Sequence, residues 1–400
     1  MSAVARAPRP GSRIVGLMTG TSADAVDAIL VDFHGAGLEA THEVIAYRET
    51  PLPDTLRREV LELAAADRWE PERMMRLDAD LGECYAESVR ELLSGASVAP
   101  GSVDAIGMHG QTLRHLPRSK TSSGALTWQA GSAPILAERT GLRVVSDFRR
   151  RDAAAGGEGA PLVPIADWWC FRSDRQSRVL LNLGGMANVT HLPAGGGLDL
   201  VRAFDTGPGN AVLDALISLS TAGLARHDDG GRMAMNGRVH EGLLSELLSD
   251  PFFMIAPPRS TGREHFGEPY AIHVQRIAED LGLSIADTLA TATELTAASV
   301  VDAIERFLRP QGGVDAVYVS GGGVRNACLM LALRRRLDGT PIDRVDVLGV
   351  DASSKEALAF ALLAHLTLAG EAGNVPGATG ARRRVVLGTV TPGAIQDQGD

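Results

Sequence analysis

Three glycine-containing turns, each following an apolar run typical of a strand, constrain this chain more than any other feature. They lie at residues 18–24, 205–210 and 321–323, after apolar segments at 13–17, 201–204 and 316–320. Glycine lets backbone N–H groups approach an anion closely, and a following helix adds partial positive charge. Spread along one chain, the three turns predict a nucleotide held between two lobes.

Composition limits the classes of protein to which the chain can belong. It has 400 residues, of which 44% are hydrophobic and 22% charged, with a net charge of −10. These values are typical of a soluble protein of two or three domains, and the acidic balance argues against a nucleic-acid partner. Three cysteines without CxxC spacing argue against a disulfide framework or a zinc site. With no signal peptide in residues 1–13 and no membrane-length apolar run, we expect a cytoplasmic protein.

Strands alternate with helices in both halves, which predicts two α/β lobes. We place the N-terminal lobe at residues 1–150, with residues 382–400 as a possible addition, and the C-terminal lobe at 151–381. Each half opens with a strand, a glycine turn and a returning strand, and in the second half this turn is Gly184-Gly185. The pattern is a weak repeat of supersecondary structure rather than of sequence.

Asp205 is a candidate for the chemical centre. It closes a predicted strand, and a glycine turn and a predicted helix follow it. A carboxylate placed there can orient a nucleophile for phosphoryl transfer, where the protein mainly positions groups and stabilises charge. The alternative role, as the N-cap of the following helix, is equally compatible with the spacing.

Two further polar segments have a functional and a structural interpretation each. The turn at Gly20 to Ser22, with Asp24 and Asp27, can contact a terminal phosphate and hold Mg²⁺ through water, or it can be an ordinary polar turn. The segment 109–112 follows a predicted strand at 103–108. Its histidine and glutamine can bind sugar hydroxyls, although a half-buried structural histidine is common.

The arginine-rich segment 147–152 is flanked by Asp147 and Asp152. Arginine pairs bidentately with carboxylates, which suits a substrate carboxylate as well as an internal Asp–Arg network. The sequence has no GxxxxGK[ST] loop, no GxGxxG opening a βαβ unit, and neither HExxH nor GxSxG. Any phosphate chemistry is therefore not of the P-loop kind.

Together these segments resemble the anhydro-N-acetylmuramic acid kinases of the actin/hexokinase-like ATPase superfamily. The resemblance extends from about residue 15 to about residue 387 and is carried by eight segments in order: 16–22, 109–112, 147–152, 154–164, 182–188, 204–210, 260–264 and 321–323. It implies a two-lobed α/β fold of the ribonuclease H-like type with an active-site cleft between the domains. It also implies a homodimer.

The resemblance implies a kinase that uses ATP, Mg²⁺ and water to convert 1,6-anhydro-N-acetylmuramic acid to N-acetylmuramic acid 6-phosphate in cell-wall recycling. In this family-based reading Asp205 is the general base that takes a proton from the water attacking C1, and the freed O6 attacks the γ-phosphate. Residues 20–27 would hold the ATP phosphates and residues 321–323 the nucleoside side. No residue is assigned as a direct metal ligand.

The predicted binding residues form two sets. We predict nucleotide contacts at Gly20, Thr21, Ser22, Ala23, Asp24, Ala25, Val26, Asp27, Gly184, Gly185, Gly207, Gly209, Asn210, Gly321, Gly322 and Gly323. We predict substrate contacts at His109, Gln111, Arg151 and Asp152.

The chain departs from the family pattern at three positions. Ala25 stands where the family usually has glycine, Ser132 where it often has aspartate, and Glu158 where glutamine is common. The first two changes leave open a kinase for another anhydrosugar such as levoglucosan. A non-catalytic, actin-like nucleotide-binding scaffold is the alternative from another class, and Asp205 argues against it.

Overall fold

The computed structural model describes residues 11–394, so residues 1–10 and 395–400 of the predicted terminal segments lie outside the described range. The strands are β1 Ser12–Thr19, β2 Ala25–His34, β3 Thr41–Pro51, β4 Ala105–Leu116, β5 Leu126–Ala130, β6 Val144–Ser146, β7 Arg178–Leu183, β8 Met186–Leu192, β9 Arg202–Pro208, β10 Ala316–Ser320, β11 Ile342–Arg344 and β12 Thr389–Thr391. The helices are α1 Asp54–Ala65, α2 Pro71–Gly95, α3 Ala133–Thr140, α4 Phe148–Ala154, α5 Pro164–Phe171, α6 Ala211–Ser220, α7 Arg232–Met235, α8 Glu241–Leu248, α9 Glu268–Asp280, α10 Ile285–Ala303, α11 Ala327–Arg336, α12 Lys355–Leu368 and α13 Pro376–Thr379.

The chain forms two compact units, and the first is discontinuous in sequence. It comprises the residues up to Trp169 together with those from Ser353 onward, whereas the second is the continuous segment Cys170–Ala352. These boundaries differ from the predicted ones at 150 and 382. The second boundary lies before 382 because helix α12 packs against β1, β2 and β4 and therefore belongs to the first unit.

The first unit is built on a seven-stranded sheet in the order β12-β6-β4-β1-β2-β3, with β5 paired to β4. The central strands β1, β4 and β6 are parallel, and β2 and β3 return antiparallel to β1. An apolar cluster that includes residues of α1, α2 and α3 covers one face of this sheet. The alternation of strands and helices thus gives a covered mixed sheet, as α/β patterning predicts.

The second unit repeats this strand order. Its sheet runs β11-β10-β7-β8-β9, with β7, β8 and β9 antiparallel and β10 and β11 parallel to β7. Three antiparallel strands extended by two parallel ones are therefore found in both units. The repeat is more extensive than the strand, turn and return that the sequence indicated.

Helix α12 lies unusually close to the first sheet because two strands carry glycine where it crosses. A Cβ built on Gly16 of β1 would lie 2.0 Å from the carbonyl oxygen of Ala357, and one on Gly107 of β4 would lie 2.2 Å from that of Phe360. The helix is buried along almost its whole length. These glycines are thus required by helix–sheet contact, one of the common reasons for glycine inside a strand.

Most predicted elements form, and two differ in a way that affects the site. The sequence pattern predicts helices at 54–65, 211–220 and 241–248, and α1, α6 and α8 have these bounds. However, the predicted strand at 103–108 continues to Leu116, so His109 and Gln111 lie inside β4 rather than after it. Asp205 likewise lies inside β9 and not at its end. Within residues 11–394 no helix combines the length and the apolar character that crossing a bilayer requires.

Candidate active site

Asp205 lies on β9, one of the two edge strands of the second unit's sheet, beside a break in the strand register. Asn188 of β8 pairs with Asp205 and Ala187 pairs with Gly207, so Thr206 is an extra residue on β9. Such a β-bulge bends the strand and changes the direction of neighbouring side chains, and it is frequent beside active sites.

Three hydrogen bonds fix Asp205 in place. Its N–H donates to the carbonyl oxygen of Arg259 at 3.1 Å, and its own carbonyl accepts from Arg259 Nε at 2.9 Å. Its carboxylate Oδ2 accepts from the N–H of Thr261 at 2.8 Å. Oδ1 accepts no hydrogen bond from residues 11–394, so one carboxylate oxygen is available to a water or a substrate.

The environment of Asp205 shifts the pKa of its carboxyl group. Burial raises the pKa of this carboxyl from 3.8 to about 7, the Thr261 N–H and the positive charge of Arg259 oppose the rise, and Glu264 adds to it. The residue nonetheless keeps partial exposure to solvent. A carboxyl with a pKa close to the working pH suits a general base.

The structure excludes the interpretation of Asp205 as a helix cap. The N-cap of α6 is Asn210, and Asp205 belongs to the preceding strand. The predicted phosphate cradle at this turn is also wrong in one respect. The N–H groups of Gly209 and Asn210 donate to the carbonyls of Gly185 and Gly184, at 2.9 and 2.8 Å, and are therefore not free for a phosphate.

The glycine turns of the second unit pack on one another at the ends of β7, β9 and β10. A Cβ on Gly209 would lie 2.3 Å from the carbonyl oxygen of Gly184. Gly321 has a left-handed φ of +84°, and a Cβ there would lie 2.6 Å from Asn182 Oδ1. Predicted nucleotide residues from three turns are therefore brought together, and their close approach explains why glycine stands there.

In the first unit, the turn between β1 and β2 is tight and open to solvent. The N–H of Ala23 donates to the carbonyl oxygen of Gly20 at 3.0 Å, and Ala23 has a left-handed φ of 52°. Thr21 and Ser22 are exposed. Ala25 begins β2 and has no left-handed backbone angle, so the missing glycine at this position introduces no strain.

His109 and Gln111 lie together in β4 at an irregular part of the strand, where Gly110 has a φ of 78°. His109 is 4% exposed, and its Nε2 accepts from Arg149 Nε at 3.0 Å. Burial and the charge of Arg149 hold the pKa of His109 well below 6.5. The bond with arginine therefore assigns a neutral ring with the proton on Nδ1. Gln111 Nε2 donates to the carbonyl oxygen of Gly20 at 3.2 Å, which links this strand to the turn.

Two carboxylates of the first unit interact electrostatically. Burial raises the pKa of Asp27 to about 6, and Glu356 at the start of α12 adds to the rise, while a hydrogen bond of 2.6 Å from the Tyr47 hydroxyl opposes it. Burial also raises the pKa of Glu356, against the charges of Lys355 and Arg149. Partly desolvated carboxylates of this kind favour a bound cation.

A family model and the curated relatives indicate the same family. The family model described as anhydro-N-acetylmuramic acid kinase matches residues 12–393. An anhydro-N-acetylmuramic acid kinase of Caldanaerobacter subterraneus subsp. tengcongensis is 41% identical over 94% of this chain and 96% of its own length. The enzyme of the same name from Salinibacter ruber is 44% identical over 94% of this chain and 96% of its own.

The chain belongs to the anhydro-N-acetylmuramic acid kinase family. Its predicted family is thereby confirmed, and the two units with their two sheets agree with the predicted α/β class. Membership makes the chain a phosphotransferase with an alcohol acceptor and ATP as its phosphoryl donor.

Of the predicted substrate residues, Asp152 has a structural role in this kinase. It is completely buried, and its Oδ1 accepts from Asn374 Nδ2 at 2.7 Å and from Thr379 Oγ1 at 2.8 Å. Its Oδ2 accepts from the N–H of Gly159 at 2.9 Å. The predicted substrate contact of Asp152 is therefore wrong, because three partners of the protein itself occupy its carboxylate. Arg151 is exposed and stays a prediction.

We expect Asp152→Asn to lower the free energy of unfolding by about 3 kcal/mol. The new amide nitrogen would point at a hydrogen-bond donor, because both carboxylate oxygens of Asp152 accept from the surrounding protein. The KM for the sugar should stay unchanged. Urea unfolding and steady-state kinetics measure the two effects. Arg151→Gln is the control with the opposite pattern: if Arg151 binds substrate, KM rises and stability does not change. A raised KM in a fully stable Asp152→Asn protein would contradict this role.

Sequence reasoning missed three polar residues that the structure places at these sites: Tyr47, Arg259 and Glu356. One signal was available for Glu356, since Lys355 and Glu356 are two adjacent charges at the start of an otherwise apolar helix. A charge that precedes a buried helix needs a partner or a function. For Arg259 no sequence pattern distinguished it from the other arginines.

Proposed function

We propose that this chain uses ATP to open 1,6-anhydro-N-acetylmuramic acid with water and to phosphorylate O6, which yields N-acetylmuramic acid 6-phosphate in peptidoglycan recycling. The observation that carries this proposal is the family match over residues 12–393. Full-length relatives of the same name, including that of Xanthomonas axonopodis pv. citri at 42% identity, support the substrate.

Asp205 is the general base of the proposed reaction. Its free Oδ1 would take a proton from water as the water oxygen bonds to C1 and the C1–O6 bond breaks. The O6 oxygen then bonds to the γ-phosphorus, and ADP leaves. A pKa of about 7 supports this role, since the carboxylate is present at neutral pH and still basic enough to accept the proton.

The residues of the first unit fit a hydrated Mg²⁺ ion. Asp27 and Glu356 supply hard carboxylate oxygens, and the negative charge of Glu356 helps to raise the pKa of Asp27. Bound Mg²⁺ would neutralise charge on the ATP phosphates. The proposed role of Asp27 and Glu356 is to hold and orient water molecules of that ion. Tyr47, which donates to Asp27 at 2.6 Å, fixes the direction of one carboxylate.

The proposed binding residues divide by chemistry. Thr21 and Ser22 present exposed hydroxyls beside the backbone of a tight turn, which suits ATP phosphate oxygens. His109 and Arg149 suit the sugar. Arg149 is desolvated enough to lower its pKa to about 10, and its terminal nitrogens could pair with the lactyl carboxylate. The glycine turns of the second unit remain proposed nucleotide contacts.

Neither alternative is favoured. The full-length relatives bear one name, which gives no support to a levoglucosan kinase or a non-catalytic scaffold. The proposal includes a homodimer, which the family resemblance implies. It also includes a cytoplasmic location, because the substrate is a product of wall turnover that a reducing, ATP-containing compartment would process.

A product assay in ¹⁸O-labelled water tests the function. The enzyme, ATP, Mg²⁺ and the anhydrosugar should release ADP and give a 6-phosphate with label on the C1 oxygen, analysed before anomeric exchange. Levoglucosan at equal concentration is the comparison substrate. Turnover on levoglucosan alone, or a product without label at C1, would overturn the proposal.

The pH dependence of kcat/KM tests the role of Asp205. Because a base acts in its deprotonated form and its pKa is raised to about 7, activity should fall about tenfold per pH unit below that value. Above that pH, kcat/KM should not change with pH. The KM for ATP, measured over the same pH series, separates the loss of activity at low pH from an effect of nucleotide ionisation. A plateau extending to pH 5 is the result that would argue against Asp205 as base.

A further inference from the structure

Arg259 is a buried cation whose hydrogen bonds all go to the main chain. It is 7% exposed, and within residues 11–394 its guanidinium bonds only to carbonyl oxygens. Nε donates to Asp205 at 2.9 Å and Nη2 to Thr206 at 3.5 Å, and Nη1 donates to Phe252, Phe253 and Ile255 at 3.2, 3.1 and 2.8 Å. One side chain therefore joins the strand of the catalytic carboxylate to the segment 252–255.

Three aromatic rings surround the guanidinium of Arg259. Its central carbon lies 4.8 Å from the ring centre of Phe252, 5.3 Å from Phe307 and 5.6 Å from Phe204. Cations over aromatic faces at such distances are attracted, most strongly when water is excluded. Burial lowers the pKa of Arg259 to about 10, so the group stays charged at neutral pH.

Asp205 and Arg259 are also linked through their backbones. The N–H of Asp205 donates to the carbonyl oxygen of Arg259, while Arg259 Nε donates to the carbonyl oxygen of Asp205. Two residues further on, the N–H of Thr261 holds Asp205 Oδ2. The edge of β9, which no strand of the sheet covers, is thus covered by the segment 259–261.

We propose that Arg259 is a positioning residue: it fixes the peptide of Asp205, and with it the direction and the charge environment of the carboxylate that accepts the proton. Five carbonyls at different angles need the planar fork of arginine, since lysine offers a single nitrogen and cannot lie flat against the three rings. This role rests on the proposed function of Asp205.

Few other charges influence this pair. Arg259 lowers the pKa of Asp205, whereas Glu264 raises it. Arg259 in turn is influenced by Arg306 and by Asp302 on α10. Removal of the Arg259 charge should therefore raise the pKa of Asp205, while its replacement by another cation should raise it much less.

The test measures ionisation of Asp205 separately from catalysis. Proton uptake on titration is compared between the wild type and Asp205→Asn, and their difference is the titration curve of Asp205. The same difference is measured in Arg259→Met and Arg259→Lys backgrounds, beside kcat and KM. We expect Arg259→Met to raise the midpoint by about one pH unit. We expect both variants to lose kcat by about tenfold to a hundredfold, with little change in the KM for ATP.

Arg306→Met is the matched control. Arg306 also lies over Phe307 and donates to the carbonyl oxygen of Phe253 at 3.3 Å, but it makes no bond to Asp205. This variant should keep the wild-type midpoint and kcat. Circular dichroism and thermal unfolding verify that each variant is folded. If Arg259→Met does not fold, Arg259→Lys alone is used for the test.

The outcomes separate this inference from the proposed function. Wild-type kcat in a folded Arg259→Lys or Arg259→Met protein would overturn the positioning role. Equal loss of kcat in Arg306→Met would overturn it as well, because the effect would then be a general one of the aromatic cluster. If Asp205→Asn itself retains wild-type turnover, the assignment of the base fails instead, and the titration midpoints still report whether Arg259 acts on Asp205.

Discussion

Asp205→Asn should abolish turnover of the anhydrosugar while ATP still binds. The amide keeps the size of the carboxylate and can still accept from the Thr261 N–H, but it cannot take a proton from water. General-base catalysis contributes up to about 10⁴-fold in rate, so we expect kcat/KM to fall by about a thousandfold or more. Coupled ADP release measures the rate, and calorimetry measures ATP affinity.

The control for this variant is Asp302→Asn. Asp302 is an exposed carboxylate of the same unit, paired with Arg306 at 2.9 Å, so its neutralisation removes the same charge from the same unit. It should leave kcat unchanged. Turnover close to wild type in Asp205→Asn, with product still labelled at C1, would require a different base.

Gly16→Ala should strongly destabilise the first unit. The added methyl group would lie 2.0 Å from the carbonyl oxygen of Ala357, which is backbone and cannot rotate away. Overpacking usually costs up to about 3 kcal/mol, and we expect at least that loss in the free energy of unfolding. Urea unfolding followed by circular dichroism measures it.

Gly95→Ala provides the comparison. Gly95 ends α2, and a Cβ there would meet no atom within 4 Å. Since alanine favours helices more than glycine, this variant should unfold at the wild-type urea concentration or slightly above it. If Gly16→Ala were as stable as Gly95→Ala, α12 could not lie as close to β1 as the structure shows.

Local sequence patterns predicted much of the fold. Apolar runs bounded by glycine turns indicated β1, β2, β7 and β8, and the predicted helices at 54–65, 211–220 and 241–248 coincide with α1, α6 and α8. The two-lobed class followed from the alternation of elements. The domain boundary did not, because membership of α12 in the first unit depends on contacts with strands more than 300 residues earlier, such as Gly16.

The site was harder to predict for a physical reason. Asp205 and His109 both lie next to irregular strand pairing, which changes the direction of side chains without any mark in the sequence. Asp152 looked like a candidate contact because it ends an arginine cluster, yet the fold buries it. Arg259 binds carbonyl oxygens, which every residue carries, so no spacing of side chains could reveal its partners.

The discontinuity of the first unit has a consequence for synthesis on the ribosome. Domains generally form as their segments emerge, at about 5–20 residues per second. Residues 170–352 are continuous and are complete before α12, at Lys355–Leu368, has been made. The second unit can therefore fold first, while the sheet around Gly16 and Gly107 keeps an apolar face uncovered until then. Nascent chains stalled before residue 355 should consequently be the species that chaperones bind.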